Sequence, residues 1–183
     1  MQMVKRILFG LLLFLFFLLF FAPKQELYYK LEHILKDNYN ITISENGIKE
    51  NPFGLSIENA DIYIEDLNIG SFEFLDLKLF YLYDILKIKS IELNENIKNS
   101  ARDIDSLSIF ASINKIDNLE IKFSILKPYK IAIDINGSFG DIKGGIYFNP
   151  TRLFLRVVNP KDISSIRGFL DTDAKGLYYE KPL

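Results

Sequence analysis

The aspartate pairs Asp103/Asp105 and Asp171/Asp173 have the spacing with which a calcium loop begins. Neither is followed by the glycine and distant glutamate that complete one, so both read as exposed turn carboxylates. The run Gly140-Asp141-Ile142-Lys143-Gly144-Gly145 has the glycine density of a phosphate cradle, but no Gly-Lys-Ser/Thr ending and no helical pattern after it. It reads as a hairpin turn. His33 is the one histidine and there is no cysteine. That removes disulfides, thiol nucleophiles and Cys/His zinc sites, and Ser-His pairing unless His33 alone serves. No spacing marks two carboxylates that converge for glycoside chemistry. With 22 Lys+Arg against 24 Asp+Glu there is no basic surface for nucleic acid. Tyr28, Tyr29, Tyr178 and Tyr179 therefore read as interfacial or packing residues, not base-stacking platforms. The expectation is a protein that is no enzyme, holds no cofactor or metal, and binds no nucleic acid.

The elements that hold these residues fall into two parts, and 183 residues suffice for one domain with an appendage. Residues 7–22 are uncharged and rich in Leu and Phe, and Lys5 and Arg6 precede them. As a helix this stretch rises roughly 24 Å, and snorkelling Lys5 and Arg6 extend it toward the ~30 Å hydrocarbon core. A cleaved leader is the alternative, but cutting after Ala22 places Phe20 three positions back and Pro23 just after the cut. Residues 1–22 are therefore expected to be an uncleaved transmembrane signal-anchor flanked by Lys5, Arg6 and Lys24. Residues 23–183 are expected to be a periplasmic β-rich domain, with the N-terminus cytoplasmic and the chain single-pass in a bacterial inner membrane. Heavy use of Ile, Lys, Asn and Phe suggests an AT-rich bacterial genome.

Pro23 can open a helix, and Leu27, Leu31, Ile34 and Leu35 recur at helical spacing, which predicts a helix over about 24–38. His33 lies opposite that stripe and reads as a surface residue. After Asn38 the period becomes two, with a phase change near Asn59 that suggests a bulge. Residues 107–113, 119–125 and 129–135 give the cleanest strands, with short turns at 114–118 and 127–128. Asn136-Gly137 and Gly144-Gly145 bracket the next reversal, Asn149-Pro150 turns the chain again, 161–167 forms a short helix and 176–180 a last strand. Nine or ten strands should pair in sequence as an antiparallel meander.

The best strands place Ile109, Leu119, Ile121, Phe123, Ile125, Ile131, Ile133 and Ile135 on one face, with polar residues on the other. At roughly 1.5–3 kcal/mol per buried side chain, such a face does not stay bare. Ten strands at about 4.8 Å span nearly 45 Å, more than two short helices cover. Either the sheet folds over as a sandwich, or part of the face is an open groove for lipid chains or a partner. The fold class is mainly β: an elongated, twisted antiparallel meander, partly open groove or sandwich, behind a transmembrane helix and one short helix.

Residues 51–62, Asn-Pro-Phe-Gly-Leu-Ser-Ile-Glu-Asn-Ala-Asp-Ile, follow the anchor and the helix. This order resembles the start of AsmA-like envelope proteins and the related N-protein of type II secretion systems, where "leucine, x, leucine, glutamate, asparagine, small, x, aliphatic" recurs. Residues 82–93 resemble a second phrase of these families, and the similarity covers residues 4–97 and more faintly 137–160. The resemblance implies an elongated antiparallel sheet with one apolar concave face, tied to lipid movement or envelope assembly. The chain is far shorter than most AsmA-like members, so a membrane-to-membrane bridge is not implied. LptC-like proteins of lipopolysaccharide transport share the outline without a shared phrase. The expected partners are the inner membrane, lipid acyl chains and envelope or secretion proteins. The expected role is non-enzymatic, in envelope biogenesis, with a structural subunit of a type II secretion or similar assembly as the alternative.

Overall fold

A computed structural model of the chain describes residues 2–80, 83–94 and 115–183. Helix α1 (Gln2–Phe20) carries exposed apolar side chains along its length. Among the described residues no helix is long and apolar enough to cross a membrane. The uncharged part of α1, residues 7–20, rises roughly 21 Å against ~30 Å of hydrocarbon. The single-pass helix expected over 1–22 is thus not supported by α1 alone.

Helix α2 (Lys24–Tyr39) forms where the leucine spacing predicts a helix, but the predicted stripe does not pack: Leu27, Leu31 and Ile34 are exposed, and the helix meets the sheet through Tyr28. Its first turn lacks a side-chain cap from Pro23, and the Gln25 N–H instead donates to Glu50 Oε1 at 2.5 Å. A carboxylate there also complements the helix dipole. The helix stops at Asn40, whose left-handed φ of 54° turns its N–H back onto the Lys36 carbonyl at 3.0 Å.

The strands are β1 (Ile41–Glu45), β2 (Ile48–Asn51), β3 (Gly54–Ile64), β4 (Leu67–Phe80), β5 (Tyr83–Leu93), β6 (Lys115–Ser124), β7 (Lys130–Gly137), β8 (Gly140–Phe148), β9 (Thr151–Pro160), β10 (Asp171–Asp173) and β11 (Gly176–Pro182). They form one open sheet of 11 strands in the order β1-β3-β4-β5-β6-β7-β8-β9-β11-β10, with β2 also on β3. Every pairing is antiparallel, and the described strands belong to one open sheet.

Several expectations shift. Residues 115–118 are not a turn but the start of β6, held between β5 and β7. Gly140 to Gly145 is not a hairpin turn but the body of β8; the reversal expected between Asn136-Gly137 and Gly144-Gly145 lies at the first of these, between Gly137 and Gly140. Gly144 is present because strands approach closely: a Cβ there would stand 1.9 Å from the Phe154 carbonyl oxygen. The helix expected over 161–167 is a single 3-10 turn at Arg167–Phe169. The expected strand at 107–113 lies outside the described residues.

The phase change near Asn59 is real, but it is not a local bulge. Asn59 and Ser90 both take left-handed φ, 51° and 53°. In β3 the core positions run Leu55, Ile57, then Ala60; in β4 they run Phe72, then Leu75; in β5, Ile88, then Ile91. Because all three strands change phase at one level, Ile57 still faces Leu75 and Leu75 still faces Ile88, while Ala60 faces Phe72 and Phe72 faces Ile91. A crease crosses these strands without breaking their register. In β6 the same step separates Ile116 from Leu119, and there a bulge on the β7 side absorbs it.

The apolar face is capped at two places. Tyr28 of α2 covers Leu55, Ile57, Ala60, Phe72 and Leu75. Residues 161–170 fold back so that Ile166, with Ile163 and Leu170, covers Ile116, Ile135, Phe139, Ile142 and Val157. The other face is a polar ladder. Lys122 bridges Glu120 at 2.7 Å and Asp134 at 3.7 Å, and Lys87 reaches Glu120 at 3.6 Å. Such exposed pairs contribute about 0–1 kcal/mol each, so they mark a solvated face rather than a source of stability.

Candidate functional site

Register, not proximity in sequence, assembles the candidate site. One cross-strand row on the apolar face runs Ile57, Leu75, Ile88, Leu119, Ile135, Ile142, Val157. The next row, one step toward the α1 end, runs Leu55, Leu77, Leu86, Ile121, Ile133, Gly144, Leu155. A third runs Leu79, Asp84, Phe123, Ile131, Ile146, Leu153. At about 4.8 Å per strand, β4 to β8 span roughly 19 Å across these rows.

The rows differ in cover. In the first, Ile57, Leu75, Ile135, Ile142 and Val157 are buried. In the second and third, the positions on β4 to β9 are only half-buried. Helix α2 lies against β1, β2 and β3, and residues 161–170 lie against the far end of the first row. Among the described residues, no element lies over the middle of the second and third rows. We read this half-buried stretch of the apolar face, on the side toward α1, as a candidate trough.

The expected lining residues separate accordingly. Leu119, Ile121, Phe123, Ile131 and Ile133 come together, half-buried, on this face. Ile135 does not line the trough; it is buried beneath Ile166 and Phe139 as part of the core. Ile125 is not in a strand either: β6 ends at Ser124, and Ile125 is 54% exposed in the following turn. Ile109 lies outside the described residues. Leu77, Leu86, Ile146, Leu153 and Leu155 belong to the trough but were not legible as lining. Ile85 and Leu86 are both apolar neighbours in sequence, so alternation alone does not say which faces the trough.

The flanking cations also divide. Lys5 and Arg6 are exposed on α1. Lys24 is no exposed flank, being 2% exposed, with Nζ donating to the carbonyls of Phe20 at 3.2 Å and Ala22 at 3.1 Å. Carbonyls at a helix C-terminus lack intrahelical donors, and a lysine satisfies them while complementing the dipole.

The chemistry-bearing side chains sit elsewhere. Tyr29, Glu32, His33, Lys36 and Thr42 line a pocket of about 280 Å³ beside α2. Burial, reinforced by Glu45, raises the Glu32 carboxyl above its usual range. The same causes, with Glu32 added, raise the buried Tyr28 phenol. Nothing there pairs a nucleophile with a base, and His33 is exposed as its helix position predicts. Among the described residues no group of three or more His, Cys, Asp or Glu side chains is placed to hold a metal. Asp173 is engaged instead with Arg156, whose two guanidinium nitrogens donate to its oxygens at 2.8 and 2.7 Å. That pairing holds the carboxyl down at about 2. Asp103 and Asp105 lie outside the described residues.

Compared with protein-family models, curated proteins and solved structures, the chain gives no match. The phrase singled out in the sequence, residues 55–62, has a physical reading in the fold. Its leucine, isoleucine and alanine are the buried Leu55, Ile57 and Ala60, and its asparagine is the left-handed residue at the crease.

Proposed function

We propose that this is a non-enzymatic, membrane-anchored envelope protein whose apolar trough takes up lipid acyl chains. The observation that carries the reading is the half-open second and third rows of the sheet, which present aliphatic side chains and Phe123 with no covering element among the described residues. Monomeric proteins seldom leave such a patch in water. In this reading α1, lengthened by Phe21 and Ala22 and by snorkelling of Lys5 and Arg6, sits in the bilayer of a bacterial inner membrane. The domain then lies in the periplasm with the trough opening toward the anchor, and uptake works by burial, not bond making.

The rival role, a secretion or envelope subunit that docks proteins along strand edges, is less well supported. At one edge β10 has 3 exposed residues, of which two are aspartates. At the other, β3 is followed by β1, of 5 residues and covered by α2, and by β2, of 4 residues with Lys49 and Glu50. Short, charged edges oppose strand addition. A photo-crosslinking amino acid at Ile133 in cells discriminates the two readings. Lipid adducts are expected; abundant protein adducts with no lipid signal refute acyl-chain binding and favour the subunit.

A further inference from the structure

One end of the sheet carries a rim that the trough does not explain. The strand register brings to this end the turn at Phe53, the end of β4 at Phe80, the β6–β7 turn and the β8–β9 turn. The C-terminus joins them, because the Leu183 N–H donates to the Thr151 carbonyl. Large apolar side chains project from these tips into solvent: Leu126 is 76% exposed, Tyr129 56% and Phe148 44%. Loop tips are ordinarily polar, so apolar residues on successive turns at one end call for an occupant.

Two further observations identify the occupant. Helix α1 leaves the domain at this same end: the Phe16 ring meets Phe53 edge-on at 6.2 Å, and Phe53 stacks on Phe80 at 5.5 Å. The apolar surface of the rim is therefore continuous with that of α1. Cations also stand among the apolar tips. Lys127 is in the β6–β7 turn, and Lys130 stands 5.0 Å from the Tyr147 ring, whereas Arg152, 5.7 Å from that ring, is paired with Glu180 at 2.5 Å. The opposite end has another character. Among the described residues its β3–β4 turn holds Glu65 and Asp66 beside exposed Leu67, Val158 is exposed near the end of β9, and its β7–β8 turn buries Phe139.

We infer that this rim is a membrane-seating edge: Leu126, Tyr129 and Phe148 enter the boundary between headgroups and acyl chains, and Lys127 and Lys130 contact anionic headgroups. Apolar tips, aromatic side chains and cations together are the composition of interfacial membrane contacts. The third row of the trough ends beside this rim, so seating opens the trough directly onto the bilayer. The inference rests on the reading that α1 lies in the membrane, and the experiment separates the two.

The chain has no cysteine, so single cysteines report single positions. Full-length Leu12→Cys, Leu67→Cys, Leu126→Cys and Phe148→Cys are each labelled with an environment-sensitive fluorophore and reconstituted in vesicles. The vesicles are phosphatidylcholine with or without phosphatidylglycerol. Shallow nitroxide lipids should quench the labels at 126 and 148, which should be several-fold less accessible to aqueous iodide than the label at 67. The contrast should strengthen with phosphatidylglycerol and lose that dependence in a Lys127→Glu, Lys130→Glu background. If the label at 12 is lipid-quenched while those at 126 and 148 are as iodide-accessible as that at 67, the seating edge is overturned and the anchor stands. If the label at 12 is also in water, the anchor fails and the seating edge fails with it.

Discussion

Truncating two isoleucines on the same face asks whether the trough is open. Ile57 is 0% exposed beneath α2, whereas Ile121 is half-buried one row closer to the α1 end. Both Ile57→Ala and Ile121→Ala delete the same atoms. At Ile57 the loss includes a cavity that its neighbours cannot fill, so about 4 kcal/mol is expected, within the usual range of ~2–5. At Ile121 the trough is open, water or lipid occupies the space, and only part of the ~1.5–3 kcal/mol of full burial is lost, about 1–1.5 kcal/mol. For a chain of this length each kcal/mol lowers Tm by roughly 2–4 °C. Thermal unfolding of the two full-length variants in one detergent should therefore show a drop of roughly 8–16 °C for Ile57→Ala and roughly 2–6 °C for Ile121→Ala. Ile121→Ala should also retain less co-purifying lipid than Ile57→Ala examined below its transition. Equal losses of stability at the two positions, with unchanged lipid, would mean that Ile121 is sealed as Ile57 is, and the trough would be refuted.

Gly140 has φ 109°, and a Cβ there would lie 1.9 Å from the Asn159 carbonyl oxygen, so Gly140→Ala should lower stability by about 1–3 kcal/mol in a thermal melt. Asp173 is held at about 2 by Arg156, so the stability it contributes is present above the ordinary value of 3.8 and disappears as pH falls toward 2. Asp173→Asn should accordingly separate from the parent protein at neutral pH, and melts of the two should converge by about pH 2. Glu32 has the opposite sign: a carboxyl raised by burial favours the folded state when protonated and opposes it as pH rises. Glu32→Gln should raise Tm at neutral pH, and the gain should vanish in acid.

The alternation of residues 119–125 and 129–135 revealed strands because one face is wet and the other is not; both strands are there, but Ile125 and Tyr129 fall in the turn between them. The pattern failed where local composition opposed tertiary pairing. Residues 115–118 are mostly polar and read as a turn, yet pairing on both sides by β5 and β7 makes them strand. The glycines of β8 read as punctuation because sequence does not show that β9 passes close by. Lys24 read as a charged flank because nothing in its neighbours announces that Phe20 and Ala22 carbonyls will need it. Lining residues such as Leu86 and Ile146 became legible only through register, which joins residues far apart in the chain.

The crease gives the partition of the apolar face a physical cause. A sheet that alternates without interruption twists smoothly and presents similar exposure along each strand. Here Asn59 and Ser90 reset the alternation at one level, so two adjacent residues per strand, Glu58 with Asn59 and Lys89 with Ser90, turn away from the core together. On the side of this line away from α1, Ala60, Phe72 and Ile116 are buried. On the other side, burial fades from Ile57 and Leu75 to the half-buried Leu77, Leu86 and Ile121. The left-handed φ at position 59 is tolerated by asparagine far better than by a β-branched residue. Asn59→Val should therefore strain the crease as well as the strand. It should release α2 from β3, seen as faster amide hydrogen exchange at the buried Ile57 and Ala60, while β8 and β9 keep their protection. Uniform loss of protection across all strands would instead show that the sheet is one cooperative unit and that the crease does not divide it.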